Sequence, residues 1–180
     1  MITVREIETP PGLEALAGLE PVDYRESFAF ATSADRTAEQ WARQTLERCP
    51  RATRAQMIAV WTLLGIPLAP PWSRAQVLGW RILHNCSSHI VLESRAATGV
   101  TARLVLHSTG TEVTQAMLVR FDRPLGRRIW TRLAPKHRRF LRALLARAAA
   151  SPPPVVPPSA SPPCASPPCA SAPCASPPHA

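Results

Sequence analysis

A chain of 180 residues, 46% hydrophobic, is long enough for one domain with a real core and short for two. No window offers the roughly 18 to 20 consecutive apolar residues of a membrane span, and MITVREIETP has no apolar stretch after a basic start, so neither a membrane span nor a secretory leader is expected. The formal charge of +9 is uneven: residues 1–50 hold nine acids against five arginines, residues 51–150 sixteen basic residues against three acids.

Residues 1–21, broken at Pro10-Pro11 and Pro21, form an N-terminal extension in which GLEALAGLE suits a turn or two of helix. Asp23 to Thr32 alternates Tyr24, Glu26, Phe28 and Phe30 against Arg25, Ser27 and Ala29, which predicts a strand with both Phe side chains toward a core. Thr37-Ala-Glu-Gln40 has the form of a capping box, after which Trp41, Ala42, Thr45, Leu46 and Cys49 supply the buried stripe of a helix that Pro50 stops. Thr53-Arg-Ala-Gln56 repeats the arrangement. It predicts a second helix carrying Met57, Ile58, Val60, Trp61 and Leu64, with Gly65 at its C-terminal cap.

The centre of the chain is Val77 to Phe121. Four runs rich in Val, Ile, Leu and Thr (77–85, 89–95, 100–108 and 112–121) are joined by CSS, AATG and TGT, the small and polar residues of hairpin turns. In the third run Ala102, Leu104 and Leu106 share one face and Thr101, Arg103 and His107 the other, with Val105 out of phase. An antiparallel meander with one apolar face needs a cover. Pro124 to Ala150 provides it as a long amphipathic helix with Leu125, Ile129, Leu133, Phe140, Leu144 and Ala148 on one face, interrupted by Pro135. From Ser151 the chain becomes SPPPVVPPSA followed by SPPCA, SPPCA, SAPCA and SPPHA, a Pro/Ser/Ala/Cys-rich repeat expected to be a disordered tail over residues 151–180.

Strand, two helices, meander and long C-terminal helix, with DYRESFAF, LGW at Leu78–Trp80 and IWTRLAPKHRRFLRALL at Ile129–Leu145 as landmarks, resemble the START/SRPBCC (Bet v 1-like) superfamily over residues 22–150. The resemblance is to small bacterial members of that group. It implies an α+β helix-grip fold: an antiparallel curved sheet of about five strands, two short helices, and the long C-terminal helix packed across the sheet. It also implies a small hydrophobic molecule held between sheet and last helix, with Phe28, Phe30, Trp80, Leu104, Leu106, Met117, Ile129, Leu133 and Phe140 as the lining. The same residues packed solid are the competing expectation.

His137 falls among Leu133, Phe140, Leu141 and Leu144 on the apolar face of the last helix. There it suits a satisfied structural histidine, or an acid/base group in a cyclase or dehydratase of the kind the resemblance implies, with mid-strand Glu93 as the second candidate. Arg127, Arg128, Arg132, Arg138, Arg139 and Arg142 project from the opposite face, suited to solvent or to an anionic surface; no aromatic platform accompanies them, and nucleic acid is not expected as a partner. His84, His89 and His107 lie on strands, with His84 in phase with Trp80. No CxxC or HxxxH occurs in the domain, so no metal and no cofactor is assigned. Cys49 and Cys86 are the only cysteines before the tail, and with no leader, disulfides are not expected and a cytoplasmic location is.

Overall fold

The computed structural model describes residues 3–70 and 72–151. They form β1 (Arg5–Ile7), α1 (Pro11–Ala17), β2 (Tyr24–Ala31), α2 (Ala38–Leu46), α3 (Arg51–Leu63), β3 (Gln76–Val77), β4 (Trp80–Asn85), β5 (His89–Ala96), β6 (Val100–Ser108), β7 (Glu112–Phe121) and α4 (Pro124–Ala150). The class is mixed α+β. One sheet takes the order β1-β2-β7-β6-β5-β4-β3, and every neighbouring pair is antiparallel.

Seven strands replace the five expected, for two local reasons. The segment before residue 22 is part of the fold rather than an extension: β1 pairs along β2, Arg5 opposite Ala29 and Ile7 opposite Ser27, and α1 lies on the sheet. The first run of the meander is also cut in two. Leu78 and Gly79 both take positive φ, 46° and 88°, the backbone of a two-residue hairpin turn, so Val77 pairs with Trp80. Leu78 is an uncommon residue for that conformation. Its amide donates to Glu47 Oε1 at 3.0 Å, and the Gly79 amide donates to Gln76 Oε1, so side chains from α2's C-terminal end and from β3 hold the turn.

The sheet buries both faces. Phe28, Phe30, Ile90, Leu92, Leu104, Leu106, Val113 and Met117 point to the inner face, where they meet Trp41 and Leu46 from α2 and Trp130, Leu141, Leu144 and Leu145 from α4. Val91, Val105, Ala116 and Leu118 point to the outer face, under Leu13, Ala17 and Leu19. Val105 is therefore in phase after all. It is apolar because α1 covers its face, while its neighbour Arg103 meets the C-terminal end of α1, where backbone carbonyls take its guanidinium.

The capping box at Thr37 forms in full: Thr37 Oγ1 accepts from the Gln40 amide and Gln40 Oε1 accepts from the Thr37 amide. The expected second box does not. α3 starts at Arg51, two residues ahead of Thr53, with Pro50 as its cap and no side-chain cap bond. Its end is as expected: Gly65 is left-handed, its amide donates to Thr62 O and that of Ile66 to Trp61 O. α4 runs through Pro135 without dividing. Pro135 and Thr131 are both exposed, so the carbonyl that loses its helical donor faces solvent. Near the start of α4, Gly126 is buried against the Gly99 carbonyl, a backbone approach that any side chain would block. Apart from Ser151, the tail expected at residues 151–180 lies outside the described residues. Among the described residues, no helix is long and apolar enough to cross a membrane.

Candidate ligand cavity

A cavity of about 400 Å³ opens between the inner face of the sheet, α3 and α4. Its walls are Trp80, Leu104 and Met117 from the strands, Ile129, Leu133 and Phe140 from α4, and Met57, Val60, Trp61 and Leu64 from α3 and its end. Six of the nine residues expected to line it do so. Phe28, Phe30 and Leu106 do not: they are at most 1% exposed and sit in solid core. The reason is the uneven cover of the sheet. α2 seats directly on it, with Trp41 edge-on to Phe30 at 5.2 Å, so that end is filled. α3 buries only Met57 and stands away, reaching back through Trp61, which lies 5.7 Å from Trp80. The α3 wall was not assigned from the sequence. Its sign was present, because Met57, Ile58, Val60, Trp61 and Leu64 spread over more of the helix than one packed stripe uses.

The polar lining is sparse: Gln56, Ser94, Thr98, Lys136 and His137. Ser94 Oγ, Thr98 Oγ1, Trp80 Nε1 and Trp130 Nε1 are buried without a hydrogen-bond partner among the described residues, and all four residues line the cavity. All four can donate into the hollow; Trp41 Nε1, Ser108 Oγ and both amide atoms of Gln115 are likewise unpaired away from it.

The structure places His137 on this wall, its ring 5.2 Å from that of Trp130. Its Nδ1 lies 2.5 Å from Oε1 of Glu26, off the line of an ideal hydrogen bond. Glu26 has a fully buried side chain; Tyr24 donates to its Oε2 at 2.6 Å, and Arg138 approaches the same oxygen at 3.7 Å. Arg138 also donates to the Tyr24 hydroxyl at 3.2 Å. Burial, and then the Glu26 carboxylate, push the Tyr24 phenol up to about 12. Imidazole, carboxylate and phenol thus form one polar group at the edge of an apolar space. Glu26 carried no assignment from the sequence, although its phase with Phe28 and Phe30 marks it as an acid facing the core.

Glu93 is not brought to the cavity. It belongs to the outer face, where Arg81, Arg95 and Arg103 hold its carboxylate at 2.8, 3.1 and 2.9 Å. Burial opposes its ionisation, but the hydrogen bonds from Arg103, Arg81 and Arg95 together outweigh that and hold its pKa below the usual value. Arg103 continues to the carbonyls of Ala17 and Gly18, both at 2.6 Å, tying the end of α1 to the sheet. The basic face of α4 is divided too. Arg127 pairs with Asp23, and Arg138 with Glu6 and Glu26, leaving Arg128, Arg132, Arg139 and Arg142 exposed.

His84 and Trp80 do not share a face. The pairing of β4 with β5 shifts between Ile82 and His84, so His84 stands opposite Val91 rather than Ile90. That one-residue bulge turns it to the outer face. There its ring stacks on His89 at 4.6 Å, and His107 lies directly across from His89. Cys86 is disulfide-bonded, against the expectation for this chain.

No family model matches the chain, and no curated protein matches it. Among solved structures it is similar to the crystal structure of CalU16 from Micromonospora echinospora, at 12% identity and a TM-score of 0.33, with 84% of this chain and 85% of that one covered.

Proposed function

We propose that this is a helix-grip protein of the START/SRPBCC kind that holds a small, largely apolar molecule carrying a few oxygen acceptors in the cavity between sheet and α4. The observation that supports this reading is the conjunction of an apolar hollow of about 400 Å³ with four buried, unpartnered polar groups around it. Ligand sites are typically of this kind: some 300–1,000 Å³, mostly apolar, with a few placed polar groups. The element order and the α4 face that carries Ile129, Leu133 and Phe140 agree with the fold that the sequence resembles.

The test is native mass spectrometry of freshly purified protein for a co-purifying molecule, with a titration of an environment-sensitive apolar dye. Leu133→Trp fills the hollow from a half-buried position and is expected to weaken dye binding at least about tenfold while the far-UV spectrum is kept, a loss near 1.4 kcal/mol. Unchanged dye binding in that variant, with no co-purifying molecule, defeats the proposal.

A second reading has its own observation, the His137–Glu26–Tyr24 group at the cavity wall. An imidazole set by a buried carboxylate is a competent acid/base pair, and with a bound β-dicarbonyl it would draw a proton from the carbon between the carbonyls, as in a polyketide cyclase or dehydratase. Protein-dependent exchange of that proton with deuterated water is the measurement. The expected result is a drop of about 100-fold or more in His137→Gln, the lower end of what a positioned acid/base contributes. Exchange equal to that of wild type in His137→Gln removes this reading and leaves the binding one standing.

A further inference from the structure

On the face of the sheet opposite the cavity, the β4–β5 hairpin brings together three groups that its sequence spacing, His-x-Cys-x-x-His, does not advertise. One ligand atom each from His84, Cys86 and His89 lie within 4.8 Å of one another. Cys86 Sγ is 3.2 Å from His89 Nδ1, and the two imidazoles stack at 4.6 Å. Zinc holds nitrogen at about 2.0–2.1 Å and thiolate sulfur at about 2.3 Å, which sets tetrahedral donors roughly 3.3–3.7 Å apart. Small side-chain rotations are enough to reach that spacing from the one observed. The backbone is already committed to it. The bulge before His84 carries that residue to the face of His89, and the Cys86 amide donates to His89 O at 2.9 Å, closing the turn between them. Cys86 and His89 are buried, and His84 is exposed, the arrangement of a site with one open side.

We propose that the reduced protein binds one zinc-type transition-metal ion through His84, Cys86 and His89, with water in the fourth position. Two imidazoles and a thiolate are a borderline-soft donor set that selects zinc, or copper, over calcium and magnesium. The sulfur is the gate. In this structure Cys86 is disulfide-bonded, and a sulfur in that bond does not act as a thiolate ligand. A dithiol reductant supplies two electrons and two protons, closing to its own disulfide and leaving two protein thiols; the ion then displaces the Cys86 thiol proton to solvent. Disulfide and metal are thus alternative states of one sulfur.

The experiment uses the full chain with Cys164, Cys169 and Cys174 changed to Ser, so that tail thiols cannot supply the ligand, reduced and freed of reductant under nitrogen. Zinc is titrated against a chromophoric chelator, and cobalt(II) reports thiolate ligation by its charge-transfer absorption. One ion per chain is expected. Cys86→Ser should lose the charge-transfer band, and His84→Ala and His89→Ala should each weaken binding by about 100-fold or more, beyond the 10- to 100-fold cost of outer-shell changes. His84 is exposed, so its variant keeps the test open should either buried one fail to fold. No bound ion in the reduced parent, or equal binding by parent, Cys86→Ser and His84→Ala, overturns the site. The cavity lies across the sheet, and dye binding there is read separately.

Discussion

Phe28→Ala is expected to remove about 3–5 kcal/mol of folding stability, the range for deleting a buried aromatic side chain. Phe28 is fully buried on the inner face of β2, in the strand pairing where it stands opposite Gln115. It belongs to the same cluster as Trp41, Leu92 and Leu104, and it does not border the cavity. The space left by its ring is therefore a new void in packed surroundings, where neighbours relax only in part. Urea unfolding checks this, with a lower midpoint at unchanged slope as the expected form. A loss under about 1 kcal/mol would mean that the ring lines empty space after all, one of the two arrangements the sequence allows.

Replacing Glu93 with Gln is expected to cost about 3 kcal/mol near neutral pH, because it removes the buried charge on which three arginines converge. Arg103 suffers most: its side chain is 19% exposed, whereas those of Arg81 and Arg95 are each 64% exposed and can turn to water. The pH dependence has a definite sign. Folding lowers the Glu93 pKa from 4.5, so the unfolded chain binds its proton first as pH falls. The stabilisation is complete above about pH 4.5 and is lost as pH falls through the folded value. The variant should lack this part of the acid limb, so the stability gap between the two proteins narrows below pH 4.5. Denaturant midpoints measured from pH 7 down to pH 3 test it, and a gap that stays constant over that range would show that the carboxylate carries no such linkage.

Much of this molecule is legible in the residues themselves. The α4 limits, the capping box at Thr37, the left-handed Gly65 and the three long strands of the meander follow from periodicity and cap chemistry, which act between neighbours in the chain. Position relative to a face is also legible while the period of two holds, which is how Tyr24, Glu26, Phe28 and Phe30 read correctly as one side of β2. Tertiary structure decided what neighbours cannot encode. A single bulge at Ile82–His84 reverses which face the rest of β4 presents, and no local pattern marks it. That Glu93 is clasped by three arginines while Ser94 lines the hollow depends on which elements cover each face, not on the alternation itself. Whether an apolar residue fills core or borders a cavity depends on how closely a distant helix seats. α2 seats tightly over Phe30 and α3 stands off from Trp80, so equally apolar strands are packed at one end and open at the other.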